Sequence, residues 1–257
     1  MNRYMSAKIQ KLALINEPWP HAVCDDFLPE DIFGSVYQVA YDNVITSNKI
    51  EGNETTPIIR IGEDESVIGA KLKTVALKEL HETLDSVDFK KMVLEKFSIY
   101  MDCVKAEDLL TSIRMRGLTS GYKYAVHKDG KIKVFACIVY IDPDNPSEYL
   151  QHDLGTKIYT SKMRQYGAMS WKVNRALMFA PSEMSWHGYS VPESFEQKRV
   201  TLLVNYKLPV EKYYQRSKDN VYIEPERKIR KVYDYNGYNV ALLSEESFSK
   251  FESRNKK

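Results

Sequence analysis

Cysteine is scarce. The 257 residues hold three, Cys24, Cys103 and Cys137, widely spaced and without a CxxC pair, which argues against a zinc ribbon or a disulfide framework. An excess of charge of one sign is also missing: 37 basic against 35 acidic residues leave a formal net charge of +2. Nothing global therefore selects nucleic acid or an anionic membrane as a partner, and neither is expected. No apolar run approaches the roughly 18–20 residues of a membrane helix. The longest apolar stretch near the amino terminus, Leu12 to Ile15, is too short for the core of a signal peptide, so a reducing cytoplasm is the expected location.

What is present is ordinary in bulk. Hydrophobic residues make up 43% and charged residues 28%, as in soluble globular proteins. The length suits one large domain, or a domain with extensions, with a substantial core. The 18 tyrosines are a mild excess that fits a β-rich body or an aromatic-lined site.

Along the chain, residues 17–29 read as a short strand running into a turn. Pro29-Glu30-Asp31 then opens a helix to about Asp42, with its acidic residues where the helix dipole favours them. Residues 43–63 are polar, carry Gly52 and Pro57, and read as a long surface loop. Near-helical apolar spacing predicts helices from Ser66 to about Leu84 and from Asp88 to about Met101. Strands follow at 110–117, 122–127, 132–141, 156–160, 174–180, 186–191 and 199–207, a spacing that argues for an antiparallel barrel or jelly roll. The apolar run Ile132 to Ile141 is expected to return antiparallel to the strand at 122–127. From about 208 the chain is charged and Tyr-rich. It has a basic run at 227–231, a turn at Asp234-Tyr235-Asn236-Gly237, and a last stretch, Glu245 to Lys257, read as a frayed helix or disorder.

Three residues carry the chemistry. In His127-Lys128-Asp129 an extended chain puts the imidazole and the carboxylate on one side. His187, in Trp186-His187-Gly188, offers a third group at the start of a strand. Two histidines and one carboxylate on one face of an ion are the ligand set of non-haem Fe(II) oxygenases, which leaves three coordination positions open. Arg199 lies in a strand-like run, where its fixed charge suits a carboxylate co-substrate. Taken alone, His-x-Asp also reads as a surface pair at a strand edge; the order of the surrounding motifs shifts the balance.

That order resembles the Fe(II)/2-oxoglutarate dioxygenase superfamily, in its prolyl-4-hydroxylase-like branch. The resemblance rests on Tyr124-Ala125-Val126-His127-Lys128-Asp129, Cys137-Ile138-Val139-Tyr140-Ile141, Arg175-Ala176-Leu177-Met178-Phe179-Ala180-Pro181, Trp186-His187-Gly188 and Lys198-Arg199-Val200-Thr201-Leu202. The opening Pro18-Trp19-Pro20-His21-Ala22-Val23 with Asp26-Phe27-Leu28-Pro29 is similar to that branch as well. It covers about residues 17–207.

The resemblance implies a mostly β (α+β) fold, a double-stranded β-helix of jelly-roll or cupin-like form with flanking N-terminal helices. The oxygenase domain is expected over 1–207, with helical support at 30–102 and the β-helix core at 108–207, and a C-terminal extension over 208–257 packing on that core. The resemblance also implies Fe(II) held by His127, Asp129 and His187, with 2-oxoglutarate and O2 as co-substrates and ascorbate as a further candidate. Arg199 and Tyr140 would hold the distal carboxylate of 2-oxoglutarate, and Tyr122 and Tyr124 would line its pocket. Because Asp129 keeps its carboxylate, hydroxylation is favoured over halogenation.

Blander readings stand beside these: a solvated strand-end arginine for Arg199, a core tyrosine for Tyr140, simple packing for Tyr122 and Tyr124. Trp186 reads as a packing wall, Cys137 as an inert core thiol, and the basic run as a solvated face. His152 reads as a loop residue, and His21 and His81 as structural or exposed. A non-catalytic cupin-like metal- or sugar-binding module is the alternative, and an interaction β-sandwich a more remote one. A peptidyl or small-molecule substrate fits the branch. The loops that would select it are 43–63 and the region Asp142 to Gln165, and their composition names neither a substrate nor an oligomeric state.

Overall fold

The computed structural model describes residues 1–45, 58–61, 75–97, 105–130, 132–142, 147–209, 231–235 and 238–242. Five helices lie among them, α1 (Asn2–Lys11), α2 (Glu30–Ala40), α3 (Val75–Asp85), α4 (Val87–Lys96) and α5 (Glu148–Leu154). The strands are β1 (His21–Cys24), β2 (Ile58–Ile61), β3 (Leu110–Leu118), β4 (Lys123–His127), β5 (Lys133–Asp142), β6 (Lys157–Tyr159), β7 (Gln165–Ala168), β8 (Ala176–Phe179), β9 (His187–Ser190), β10 (Arg199–Lys207), β11 (Lys231–Tyr235) and β12 (Tyr238–Leu242). No helix among the described residues is long and apolar enough to cross a membrane.

The strands form two six-stranded sheets, in the orders β1-β8-β5-β10-β3-β2 and β11-β12-β4-β9-β6-β7. From β3 to β6 and again from β7 to β10, successive strands alternate between the sheets, the pattern of the expected double-stranded β-helix. One expectation fails at this point. β5 does not return beside β4: it pairs with β10 and β8 in the first sheet, while β4 pairs with β9 in the second. A near-continuous apolar run such as Val134 to Ile141 is what burial of both faces of a strand demands, and only a place inside the first sheet supplies that.

Both faces are accounted for by alternation. Ile113 and Met115 of β3, Cys137, Val139 and Ile141 of β5, and Val200, Leu202, Val204 and Tyr206 of β10 pack with Met5, Ile9, Val36, Leu80 and Val93 from the helices. The opposite faces, with Leu118, Ala136, Ile138, Tyr140 and Phe179, join Trp19, Leu154, Ile158, Trp171 and Val191 between the sheets. Helix α4 has its N-cap in Ser86, whose hydroxyl accepts from the Phe89 amide at 3.3 Å and contributes about 1 kcal/mol.

The structure adds elements that the sequence does not signal. α1 buries only Met5 and Ile9, too few apolar positions for a periodic pattern. β2 lies inside the stretch read as a loop, where Ile58-Ile59-Arg60-Ile61 pairs with the edge of β3; neighbouring polar residues mask so short a strand. α5 lies within the region read as variable loop and β7 starts at its last residue, Gln165; both are short, α5 being 7 residues and β7 4. His152 is thus on a helix rather than in a loop, and exposed. In the extension, β11 and β12 pair around Tyr235↔Tyr238, and β12 meets β4 in parallel at Val240↔Val126. Residues 46–57, 62–74, 98–104, 131, 143–146, 210–230, 236–237 and 243–257 lie outside the described residues, the last two positions of the turn expected at Asp234-Tyr235-Asn236-Gly237 among them. So do most of the predicted loop, the start of the helix from Ser66, the end of the helix to Met101, nearly all of the basic run and the whole last stretch.

Asn174 ties the helical layer to the barrel. It sits at φ 60, a left-handed conformation that asparagine tolerates better than most residues. Its side chain accepts from the Leu28 amide at 2.9 Å and donates to the Leu28 carbonyl at 2.8 Å. Its backbone bonds Phe27 and Tyr140. Asn174→Ala strands two buried backbone groups and strains the backbone, and is expected to cost about 2–4 kcal/mol in chemical denaturation. A loss under about 0.5 kcal/mol would show that Leu28 finds other partners.

Candidate active site

The site begins at one rung of the β4–β9 ladder, where His127 pairs with His187. The ladder shifts register between Tyr124 and His127. Residues three apart on a regular strand face opposite ways, but the extra residue of a bulge lets both face the barrel. The Tyr124 ring accordingly meets the His127 ring edge-on at 4.7 Å. Gly188 allows the close approach: a Cβ there would lie 3.2 Å from both the Tyr124 carbonyl oxygen and the Val126 Cα. Asp129 sits past the end of β4 rather than on it, yet its carboxylate comes within 3.9 Å of His127 Nε2. One candidate ligand atom each from His127, Asp129 and His187 lies within 4.8 Å of the others.

The protonation states suit a cation. Burial, then the neighbouring His187, pushes the His127 pKa down to about 3. Burial likewise lowers His187, so both imidazoles are neutral at ordinary pH. The Nδ1 of each faces a backbone carbonyl at 2.9 Å, that of Ala125 for His127 and that of Ser185 for His187. A carbonyl only accepts, so Nδ1 carries the proton and Nε2 keeps its lone pair. Burial acts to raise the Asp129 carboxyl, but Lys133, His187 and His127 outweigh it and hold it below its usual range. Lys133 donates to Oδ1 at 2.6 Å, while the buried Oδ2 has no hydrogen-bond partner among the described residues. Two lone pairs and a carboxylate gathered within 4.8 Å fit a divalent ion of the non-haem iron type. A cleft of about 280 Å³ opens there, lined by Tyr124, His127, Asp129, Lys133 and Lys207 among others. Trp186 lies beside it under Lys128, whose amine is 5.0 Å from the ring centre.

Arg199, the first residue of β10, is 1% exposed. Its Nε donates to the Leu154 carbonyl at 2.6 Å and its Nη2 to Thr156 Oγ1 at 3.4 Å. Its guanidinium lies 4.1 Å from the Tyr189 ring centre, 5.1 Å from Trp171 and 5.8 Å from Tyr140. Among the described residues no carboxylate forms an ion pair with it. A buried cation held only by neutral groups is costly, and burial lowers its pKa. The buried Trp171 Nε1 also has no hydrogen-bond partner among the described residues. A donor-rich setting of this kind fits a carboxylate.

Tyr140 is fully buried, stacks on Trp171 at 4.4 Å, and its hydroxyl accepts from the Thr156 amide at 3.0 Å. It shares the Arg199 cluster through that residue. Tyr124 meets His127, whereas Tyr122 is stacked on Tyr124 and Tyr189 and bonded to Arg116. Sequence reading missed Tyr189, Thr156, Trp171 and Arg116. Tyr189 was accessible, since it follows His187 by two positions and so shares its strand face. Thr156 is brought in by packing, beside Gly155, where a Cβ would lie 1.6 Å from the Met169 carbonyl oxygen.

A scan of family models finds no match to the chain, and neither does a search of curated proteins. Solved structures do match in fold. A prolyl hydroxylase from Trichoplax adhaerens, in complex with a hypoxia inducible factor oxygen degradation domain peptide fragment, covers 83% of this chain and 91% of its own, with TM-score 0.50 and 14% identity. A prolyl-4-hydroxylase from Pseudomonas putida covers 81% and 100%, with TM-score 0.50 and 12% identity. A prolyl 4-hydroxylase from Phytophthora capsici covers 81% and 65%, with TM-score 0.55 and 12% identity. At these identities the likeness is one of fold, and it is the fold that the motifs imply.

If Arg199 were a structural anchor, replacing it would be expensive. If it is held for a ligand, it burdens the free protein. Arg199→Met is expected to leave the stability of the ligand-free fold within about 1 kcal/mol or to raise it. A loss above about 3 kcal/mol would mark it as a fold determinant.

Proposed function

We propose that the protein is an Fe(II)- and 2-oxoglutarate-dependent oxygenase that hydroxylates an unactivated C–H bond of a peptidyl or small-molecule substrate, with release of succinate and CO2. The observation that carries this reading is the pairing, in the interior of one β-helix, of a His-Asp-His set with a fully buried arginine that has no anionic partner among the described residues. Either alone has a structural explanation; together they fit one chelating dicarboxylate and one divalent ion. Residues 1–207 make up the oxygenase domain, and 208–257 an extension whose β11–β12 hairpin adds to the sheet that carries His127 and His187.

His127, His187 and Asp129 would hold the iron, each imidazole through Nε2 and the carboxylate through Oδ2. Lys133 keeps Oδ1 engaged and so disfavours a bidentate carboxylate. Arg199 would take the distal carboxylate of 2-oxoglutarate, with the Thr156 hydroxyl and the Tyr140 phenol lining that end. When bound, iron and 2-oxoglutarate together supply the oxidising power: one O2 is consumed, the keto acid becomes succinate and CO2, and the substrate gains a hydroxyl group. The chain's own work is ligation, orientation and exclusion of water. The packing of Phe179 and Tyr124 against the two histidines, at 5.0 and 4.7 Å, serves the last of these. Substrate enters from the cleft beside Asp129.

The test is conversion of 2-oxoglutarate to succinate by the purified protein with Fe(II) under air. Many such sites turn over slowly without substrate, and His187→Ala is expected to reduce this by about 100-fold or more while the circular dichroism spectrum and melting temperature hold. A ligand at the barrel mouth contributes little to the core, so full turnover in the variant would contradict the ligand assignment.

A further inference from the structure

A second guanidinium shares the Tyr189 side chain with Arg199. On β3, Ile113 and Met115 belong to the helix-side core and Leu118 to the core between the sheets. Arg116, two residues before Leu118, therefore faces the barrel interior. Its Nη2 donates to the Tyr122 hydroxyl at 2.8 Å and its Nη1 to the Tyr189 hydroxyl at 3.3 Å. Its guanidinium lies 5.2 Å from the Tyr124 ring centre, on the ring that also meets His127.

The register of β10 on β3 sets Arg199 opposite Leu118 and Thr201 opposite Arg116. The two arginines are thus diagonal neighbours on adjacent strands, within reach of one another's long side chains. Tyr189 stands between them. Its ring faces the Arg199 guanidinium at 4.1 Å and its hydroxyl accepts from Arg116. After burial, the Arg116 charge is among the influences that lower the Arg199 pKa. Two guanidinium groups converging on one phenol repel each other at low dielectric. A small oxyanion placed between them replaces that repulsion with two attractions, each a charge-assisted hydrogen bond.

We propose that Arg116 is a second anion-binding residue of the co-substrate pocket, sharing with Arg199 the distal carboxylate of 2-oxoglutarate, with the Tyr189 hydroxyl as a third contact. This rests on the reading of Arg199 as the co-substrate anchor and goes beyond it. It assigns the carboxylate two arginines from different strands and makes Tyr189 the residue that sets how deep that carboxylate lies. Because Tyr189 and His187 lie on one face of β9, the depth of the anion is coupled to the position of a metal ligand through two residues of one strand.

The test is isothermal titration of the Zn(II)-loaded protein, which is redox-inert, with 2-oxoglutarate and with 2-oxobutyrate. The two share the chelating keto-acid end, and only the first has a distal carboxylate. Arg116→Gln is expected to weaken 2-oxoglutarate about ten- to hundredfold, the loss of one charge-assisted bond, and to leave 2-oxobutyrate unchanged. Arg116→Lys should recover part of the loss, because it keeps the charge without the fork. Wild-type affinity for 2-oxoglutarate in Arg116→Gln would overturn the inference while leaving the proposed function standing. Equal weakening of both ligands would also overturn it, since Arg116 would then act on the pocket as a whole. A wild-type protein that binds zinc but not 2-oxoglutarate would overturn both.

Discussion

The antiparallel rung that sets His127 of β4 against His187 of β9 is the constraint from which the rest of the site follows. A slip of one residue on either strand would turn one imidazole outward and leave the other without a counterpart. Three local features guard the register: the bulge before His127, Gly188 against the β4 backbone, and two backbone carbonyls that fix the tautomers. Burial does the remaining work. It keeps both rings neutral, and it makes the uncompensated Oδ2 of Asp129 expensive unless a cation is present. The extension is fastened beside the same rung, at Val126 and Val240, so the carboxyl-terminal hairpin and the histidine pair share a strand.

The anion end is built on the opposite principle. Arg199 is held by Leu154, Thr156 and three aromatic faces, none of them charged, and a second arginine stands nearby. Such an arrangement adds little to the stability of the empty fold and much to the affinity for a carboxylate, a trade frequent where binding matters more than rigidity. The two ends lie on different sheets, Arg199 on the one that packs on the helices and the histidines on the other. The β-helix fold brings them together, and Tyr189, on the histidine strand yet in contact with Arg199, joins them.

Much of this was legible in the residues. His127, Asp129, His187 and Arg199 could be named because their chemistry is unusual in strands and their order follows a known pattern. The strands from β3 to β10 could be placed because alternation and punctuation are strong there, β7 apart. The pairing of β4 was misread, since a local rule favours neighbours in sequence while the β-helix sends successive strands to opposite sheets. Short or amphipathically weak elements, α1, β2, α5 and β7, left too few apolar positions to register. Arg116 could not be found from the sequence: among the 37 basic residues nothing marks it until β3 is aligned with β10 and its inward face is known. The substrate stays outside the pattern, because the loops that would choose it encode shape rather than chemistry.

The central claim, that one pocket chelates iron and 2-oxoglutarate together, is tested most directly by anaerobic titration of the protein with Fe(II) and then 2-oxoglutarate, followed in the visible. The account predicts a weak charge-transfer band that needs both components and decays when air is admitted, with succinate formed. Metal binding without a band on adding 2-oxoglutarate would contradict it and leave a cupin-like metal-binding module as the better description.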